Sequence, residues 1–412
     1  MRLLHTQKMR LEWVNNATDK QYAILSHTWL KPEEEVLFAD VIDETTELPT
    51  DKAGYRKLEG SCRQARKDGY DYIWIDTCCI DKSSSAELSE AINSMFMWYR
   101  HSRVCYAYLD DVIGEEDKGL TESQIRRSRW LTRGWTLQEL IAPPEVVFFD
   151  RRWVKVERRN EKRSQELLLR ITGLPGQILS RQDTEMCPST LLTEFHHFQD
   201  ERCSRCKQND GLRFLLEGSS VAQKMSWASR RETTRLEDQA YCLLGLFDIN
   251  MPLLYGEGKK AFFRLQVEIM KKSDDQSILA HQNKAFLFTS HLLAESPSWF
   301  QESPSWFQGS GDYRPRELEN SPHLRQPLTQ LSSKKISTSM YLCPVTTSGG
   351  RGTGSSIGIL NCFYSYNGLS RPGILLTGTG TGRNDFYRDD SRMIRLDHNK
   401  PVQTIDQSTD LI

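Results

Sequence analysis

Four short apolar runs recur along the first 155 residues, separated by segments with helical spacing. Tyr22-Ala23-Ile24-Leu25, Tyr72-Ile73-Trp74-Ile75, Val104 to Leu109 and Val146-Val147-Phe148-Phe149 each have the length and continuous apolarity of a buried strand. Between the first two, Tyr55, Leu58, Cys62 and Ala65 fall on one face of a helix over 53–68, with Gly69 as its stop. Between the next two, Ser84 stands three residues before Glu87, which predicts a capping box; Leu88, Ile92, Met95 and Tyr99 then share a face. The segment Arg126 to Leu140 precedes the fourth run and leads into a short helix. Apolar strands alternating with helices imply an α/β fold with a parallel sheet covered on both faces.

Past residue 155 the pattern changes. Residues 156–290 read as mainly helical: Glu166 to Ile171 belongs to one helix, and Trp227 to Leu246 and Lys259 to Lys271 are others. Residues 185–218 are polar with weak periodicity. The heptad Glu295-Ser296-Pro297-Ser298-Trp299-Phe300-Gln301 is repeated from Glu302 to Gln308, which reads as a local duplication in a loop. From about Lys334 short β-type runs sit between Gly/Ser/Thr clusters. The expected organisation is an α/β domain at 1–155, a helical region at 156–290, and a loop with a small β-rich region at 291–412.

Charge narrows the partners. Lys plus Arg number 54 and Asp plus Glu 55, so nothing draws the whole chain to nucleic acid or to a lipid surface. Ten cysteines in 412 residues are too sparse for a disulfide scaffold, and the Cys78-Cys79 pair suits reduced thiols. The N-terminus lacks a signal-type apolar core, and no run of about 18 apolar residues occurs. The expectation is a soluble, cytoplasmic protein without a membrane span.

Ligands of open parallel sheets bind outside the carboxyl ends of the strands. Here the first strand runs into Ser26-His27-Thr28-Trp29, the second into Asp76-Thr77-Cys78-Cys79 and the third into Asp110-Asp111. The Arg/Trp-rich segment, with Arg133, Trp135 and Glu139, follows the third. Guanidinium pairs with phosphate and indole stacks on rings, so this mixture suits a flat anionic ligand. Each residue also has a structural reading: Asp76 and Asp110 as caps, Trp29 and Trp135 as core, His27 as a satisfied hydrogen-bonding group, Glu139 as a helix residue beside an arginine. A Cys78 or Cys79 thiolate paired with His27 is a further option, although cysteines just after a strand are usually packing residues. Cys203-Ser204-Arg205-Cys206 has the spacing of a zinc half-site, with Cys187 and His196-His197 upstream, but no second matched pair occurs and no metal is assigned. Gly378 to Gly382 precedes no helical pattern. Gly256-Glu257-Gly258-Lys259-Lys260 lacks phosphate-loop spacing, so neither is a nucleotide fingerprint.

Four stretches together carry a family resemblance. Tyr22-Ala23-Ile24-Leu25-Ser26-His27-Thr28-Trp29, Tyr72-Ile73-Trp74-Ile75-Asp76-Thr77-Cys78-Cys79-Ile80-Asp81-Lys82, Glu90-Ala91-Ile92-Asn93-Ser94-Met95 and Arg133-Gly134-Trp135-Thr136-Leu137-Gln138-Glu139-Leu140 resemble, in order, the fungal heterokaryon-incompatibility (HET) domain. Met225 to Ala228, Arg235 to Asp238 and Leu254 to Gly258 resemble the region that commonly follows it. The resemblance implies a role in non-self recognition ending in programmed cell death. It also implies a distant likeness to TIR domains, hence a TIR-like or flavodoxin-like sheet. Some TIR domains hydrolyse NAD with a glutamate after the third strand, which by position is Glu139. The implied ligand groups are Ser26, His27, Trp29, Asp76, Asp110, Arg133 and Trp135, with NAD as substrate and no permanently bound cofactor. A non-enzymatic module that acts by self-association or by binding an incompatibility partner stands beside this reading.

Overall fold

The computed structural model describes residues 1–42, 47–114, 121–180, 211–273, 275–281 and 293–301 and, past 301, only separate backbone segments between 307 and 411. The β-rich region expected from about residue 334 falls in that last part, while residues 302–306 of the second heptad copy lie outside the described residues. The cysteine and histidine ligands weighed for zinc, at 187–206, lie outside the described residues.

The chain divides into two compact units. The first holds residues 1–216, 231–233 and 241–253; the second holds 217–230, 234–240 and 254–412. In the first unit the strands are β1 (Arg2–His5), β2 (Leu11–Trp13), β3 (Tyr22–His27), β4 (Tyr72–Trp74), β5 (Val104–Tyr108), β6 (Val146–Phe149) and β7 (Lys155–Arg158). The helices up to residue 180 are α1 (Phe38–Val41), α2 (Tyr55–Lys67), α3 (Asp76–Cys79), α4 (Ser85–His101), α5 (Glu122–Arg127), α6 (Arg129–Thr132), α7 (Thr136–Ile141), α8 (Lys162–Thr172) and α9 (Gly176–Ser180).

The seven strands form one sheet in the order β2-β1-β4-β3-β5-β6-β7. Its central four, β4-β3-β5-β6, are parallel, as their unbroken apolar runs require. Among themselves they take the order 2-1-3-4 of a doubly wound sheet, with β3 and β5 flanking the point where the order reverses. The expectation of a wholly parallel sheet is corrected at both edges. β1 and β2 form an antiparallel hairpin joined to β4, and β7 returns antiparallel to β6. Such edges need only a turn, whereas a parallel neighbour needs a crossover.

The helices follow their sequence signals with local exceptions. α2 buries Leu58, Cys62 and Ala65 as its spacing dictates, and Gly69 beyond it has φ +85°. At α4, Ser84 caps the N–H of Glu87, but the Glu87 carboxylate does not return to Ser84. It accepts from the Asp81 N–H (2.8 Å) and pairs with Arg2, which ties β1 to the start of α4. The single helix expected over 227–246 is broken. Val221–Ala228 ends at Ser229, and Glu232 then spends its backbone groups on a bridge, its N–H to Thr132 O (2.6 Å) and its carbonyl accepting from Gly134 N (2.8 Å). Short helices resume at Asp238–Tyr241 and Leu244–Phe247. Backbone groups committed to a bridge cannot also serve a helix.

In the second unit, the Gly256-Glu257-Gly258 turn cradles an anion from its own chain. Gly256 (φ +102°) and Gly258 (φ +61°) both donate N–H groups to Glu237 Oε1, at 2.8 and 2.9 Å. The N–H groups of Glu237 itself, Gly258 and Gly256 hold that carboxyl below the usual carboxylate range. Gly256→Ala is expected to destabilise this unit by about 1–3 kcal/mol, because an L side chain is strained at that φ. Urea unfolding should show it; an unchanged midpoint would mean that the turn relaxes without cost.

Candidate functional site

β3 is buried throughout, and its last two residues are polar. Buried polar side chains need partners, and those of Ser26 and His27 define the site.

Ser26 Oγ donates to Glu139 Oε2 and accepts from Trp130 Nε1 at 2.6 Å. Glu139 lies on α7, all six residues of which are buried, and is itself only 6% exposed. Tyr99 on α4 shares a hydrogen bond with Glu139 and donates its hydroxyl to Leu25 O (3.1 Å). Burial pushes the Glu139 carboxyl up to about 8 and the Asp76 charge adds to the rise, against the opposing pull of Ser26, Tyr99 and Arg231. Glu139 is therefore mostly a neutral acid at pH 7. Every bond then has a donor and an acceptor: Trp130 N–H to Ser26, Ser26 O–H to Glu139, Glu139 O–H to Tyr99, Tyr99 O–H to the Leu25 carbonyl.

His27 opens a second branch. Its Nε2 lies 3.0 Å from Asp76 Oδ1, and its Nδ1 lies 3.3 Å from Lys57 Nζ. An ammonium only donates, so Nδ1 accepts and the ring proton sits on Nε2, facing Asp76. Lys57 also donates to Thr28 O (2.8 Å) and to Glu35 Oε1, and Glu35 accepts from Leu30 N (2.8 Å). Asp76 Oδ2 accepts from Trp29 Nε1 at 2.8 Å. Burial alone would raise Asp76, but His27, Lys82 and Trp29 together hold its carboxyl below the usual range. Trp29 is 46% exposed, and Lys82 Nζ sits 3.5 Å from its ring centroid. Asp76 thus does not serve as a helix cap; its carboxylate orients a histidine and a tryptophan.

A third branch joins β3 to the end of β5. Thr28 Oγ1 donates to Asp110 Oδ1 (2.9 Å), and Arg129 Nη2 reaches both Asp110 Oδ2 (2.6 Å) and Thr28 Oγ1 (3.2 Å). Asp111 accepts from Arg129 N (2.7 Å) and Ser128 Oγ (3.1 Å), which seats the start of α6.

The Arg/Trp segment meets the site at several points. Trp130 reaches Ser26, and Trp135 is half-buried at the head of α7. Arg133 offers its backbone carbonyl, which accepts from Arg231 Nη1 (2.9 Å) and Thr136 Oγ1 (2.9 Å). Gly134 has no room for a Cβ, which would come 2.5 Å from Thr233 Cγ2 and 3.2 Å from Cys242 Sγ. Cys78 is a buried free thiol with its pKa raised well above the thiol range, first by its hydrogen bond with the Cys79 thiol and then by burial. With both nitrogens of His27 committed elsewhere, a Cys–His nucleophile is not assembled.

The structure therefore gathers Ser26, His27, Trp29, Asp76, Asp110 and Glu139 around the carboxyl ends of β3, β4 and β5. Lys57, Glu35, Thr28, Tyr99, Lys82, Arg129 and Arg231 complete the network without having been singled out. For Lys57 a signal existed: with Ser61 it flanks the Leu58/Cys62 stripe, so its charge falls on the buried side of α2. Arg231, some ninety residues from Glu139, gave none. Among the described residues no group of His, Cys, Asp and Glu could hold a metal ion, and no helix is long and apolar enough to cross a membrane.

Comparison with known proteins agrees with the strand-end motifs. No solved structure matches the chain. The vegetative incompatibility protein HET-E-1 of Podospora anserina is 41% identical over 255 residues, which are 61% of this chain. The chain spans only 16% of that protein's length. The family model described as heterokaryon incompatibility protein (HET) matches residues 22–122, from the start of β3 to the start of α5. The N-terminal unit therefore carries a heterokaryon-incompatibility domain.

Proposed function

We propose that this chain acts in fungal heterokaryon incompatibility as a cytoplasmic cell-death effector, and that its HET domain hydrolyses NAD in the manner of the TIR-like domains it resembles. The reading rests on one observation: a buried carboxyl, Glu139, is hydrogen-bonded to Ser26 at the point where the strand order reverses, and that burial pushes its pKa up to about 8. In the reaction, water adds to C1′ of the nicotinamide ribose while the C1′–N bond breaks, and nicotinamide leaves with the bonding pair. Ionised Glu139 stabilises the oxocarbenium-like transition state and takes the proton that the water loses. Trp29 supplies a stacking face, and Arg133 with the neighbouring Arg129 supplies charge for the pyrophosphate; Trp135 flanks them.

The test is release of nicotinamide from NAD by the full chain, free and forced to assemble. Release is expected to rise with pH up to about 8 as Glu139 ionises, and to fall by about 10²–10³-fold in Glu139→Gln. Absence of release in every assembled form would remove the enzymatic reading.

A second reading is favoured by the burial of Glu139, whose neutral form leaves no bond unmet. A sealed, satisfied carboxyl suits a rigid signalling module that acts by self-association or by binding an incompatibility partner. In that case Glu139→Gln keeps incompatibility activity intact.

A further inference from the structure

The family match stops at residue 122, yet the network around Glu139 is closed by a residue more than a hundred positions later. Arg231 belongs to the N-terminal unit through the short stretch 231–233, held by the backbone bridge between Glu232 and the Thr132–Gly134 turn. Its Nη1 donates to Arg133 O and to Thr136 Oγ1, both at 2.9 Å. Thr136 Oγ1 in turn donates to the Trp130 carbonyl, and the Trp130 indole holds Ser26. One guanidinium thus fixes the first turn of α7, one turn ahead of Glu139, and the helix that presents Trp130. Its other terminal nitrogen, Nη2, is buried with no hydrogen-bond partner.

A buried donor left unmet is costly, so a partner that arrives in another state of the site is worth seeking. The charged and titratable groups around Glu139 are few. Asp76 on α3 opposes its ionisation, Tyr99 on α4 bonds to it, and Cys105 on β5 lies within its field. Arg231 is the cation among them.

We propose that Arg231 is the positioning counter-ion of Glu139: while Glu139 is a neutral acid Arg231 holds the frame of α6 and α7, and when Glu139 ionises the Nη2 donor pairs with its carboxylate. The functional boundary of the domain then runs past residue 122, where the family model ends, to include the 231–233 stretch. The catalytic consequence rests on the proposed hydrolysis, but the pairing itself does not. Glu139 also titrates in the pH dependence of stability, which reads the pairing whether or not NAD is cleaved.

The experiment uses the full chain, with Arg231→Gln and Arg231→Lys. The midpoint of the Glu139 titration is read as the pH-dependent stability difference between each chain and its Glu139→Gln partner, and also from the pH profile of nicotinamide release. Arg231→Gln keeps an amide donor for Arg133 O and Thr136 Oγ1 but loses the charge. Its midpoint should rise by about one pH unit, with about tenfold less release at pH 7 that recovers at higher pH. Arg231→Lys keeps a charge without the planar fork and should raise the midpoint less. A purely structural arginine would lower stability and activity alike at every pH without moving the midpoint. An unchanged midpoint in Arg231→Gln, or in Arg231→Lys where the glutamine chain does not fold, overturns the pairing. If release is absent from the wild type while the stability midpoint still moves, the hydrolysis reading fails and the counter-ion stands.

Discussion

Replacing Lys57 by methionine is expected to cost the N-terminal unit about 3–5 kcal/mol, because it strips one partner from a buried charge pair. The Lys57 and Glu35 side chains are each 4% exposed. Without the ammonium, Glu35 keeps the Leu30 N–H as its direct donor, and the Thr28 carbonyl and His27 Nδ1 lose theirs. The carboxylate is then a charge sealed in protein with half of its compensation gone. The second step of the test separates lost attraction from stranded charge. In Lys57→Met/Glu35→Gln the amide oxygen still accepts from Leu30 while no charge is buried, so most of the loss should be recovered, as it often is when a buried pair is exchanged for neutral groups. Urea unfolding of the wild type and both variants at pH 7 decides it. If the double variant is as unstable as the single one, the hydrogen bonds of Lys57 to Thr28 and His27, not the stranded Glu35, carry the effect.

That network shows which parts of the molecule the residue order discloses. β3 to β6 could be placed because a strand covered on both faces must be apolar throughout, and that leaves a continuous run. The β1–β2 hairpin left no such trace. Its strands have four and three residues, and its turn passes through Met9 at φ +52°, a position where glycine or asparagine would have announced a turn. β7, Lys155 to Arg158, looks like a charged loop because an edge strand keeps one side in water. The site divides the same way. Ser26, His27, Asp76 and Asp110 were legible because a doubly wound sheet points its carboxyl ends at one place. Which indole and which arginine of the Arg/Trp segment face Ser26 and Asp110 was not, since α6 and α7 are too short for any periodicity to fix their faces. Arg231 was hidden by the break at Glu232, which the 3.6-residue pattern of 227–246 reads straight through.

Glu139→Gln is expected to change the pH dependence of stability more than stability itself. The unfolded chain ionises Glu139 near its ordinary 4.5, the folded chain only near 8. Below pH 4.5 both states carry the proton and the site imposes no penalty. Between those values the unfolded state gives up the proton first, so the native state binds more protons and stability falls as pH rises, by about 1.4 kcal/mol per pH unit. Above about 8 both states are ionised and the penalty levels off at about 5 kcal/mol, the full cost of carrying that carboxylate inside the protein. Glutamine keeps the geometry of the neutral acid: its carbonyl accepts from Ser26 and its amide donates toward Tyr99. The two chains should therefore match near pH 5 and diverge steadily toward pH 8, where the glutamine chain is the more stable. Other groups titrate over the same range, Lys224 among them with burial pushing it down to about 8, but they are common to both chains and cancel in the difference. Amide hydrogen exchange along β5, compared between the chains at each pH, reads the opening of this unit alone. Parallel curves from pH 5 to 8 would place the Glu139 titration outside that window and with it the neutral hydrogen-bonded chain from Trp130 to Leu25. Diverging curves would show that the domain stores its instability in one carboxyl, held neutral until a rise in pH, or the approach of a charged ligand and a closer Arg231, makes ionisation affordable.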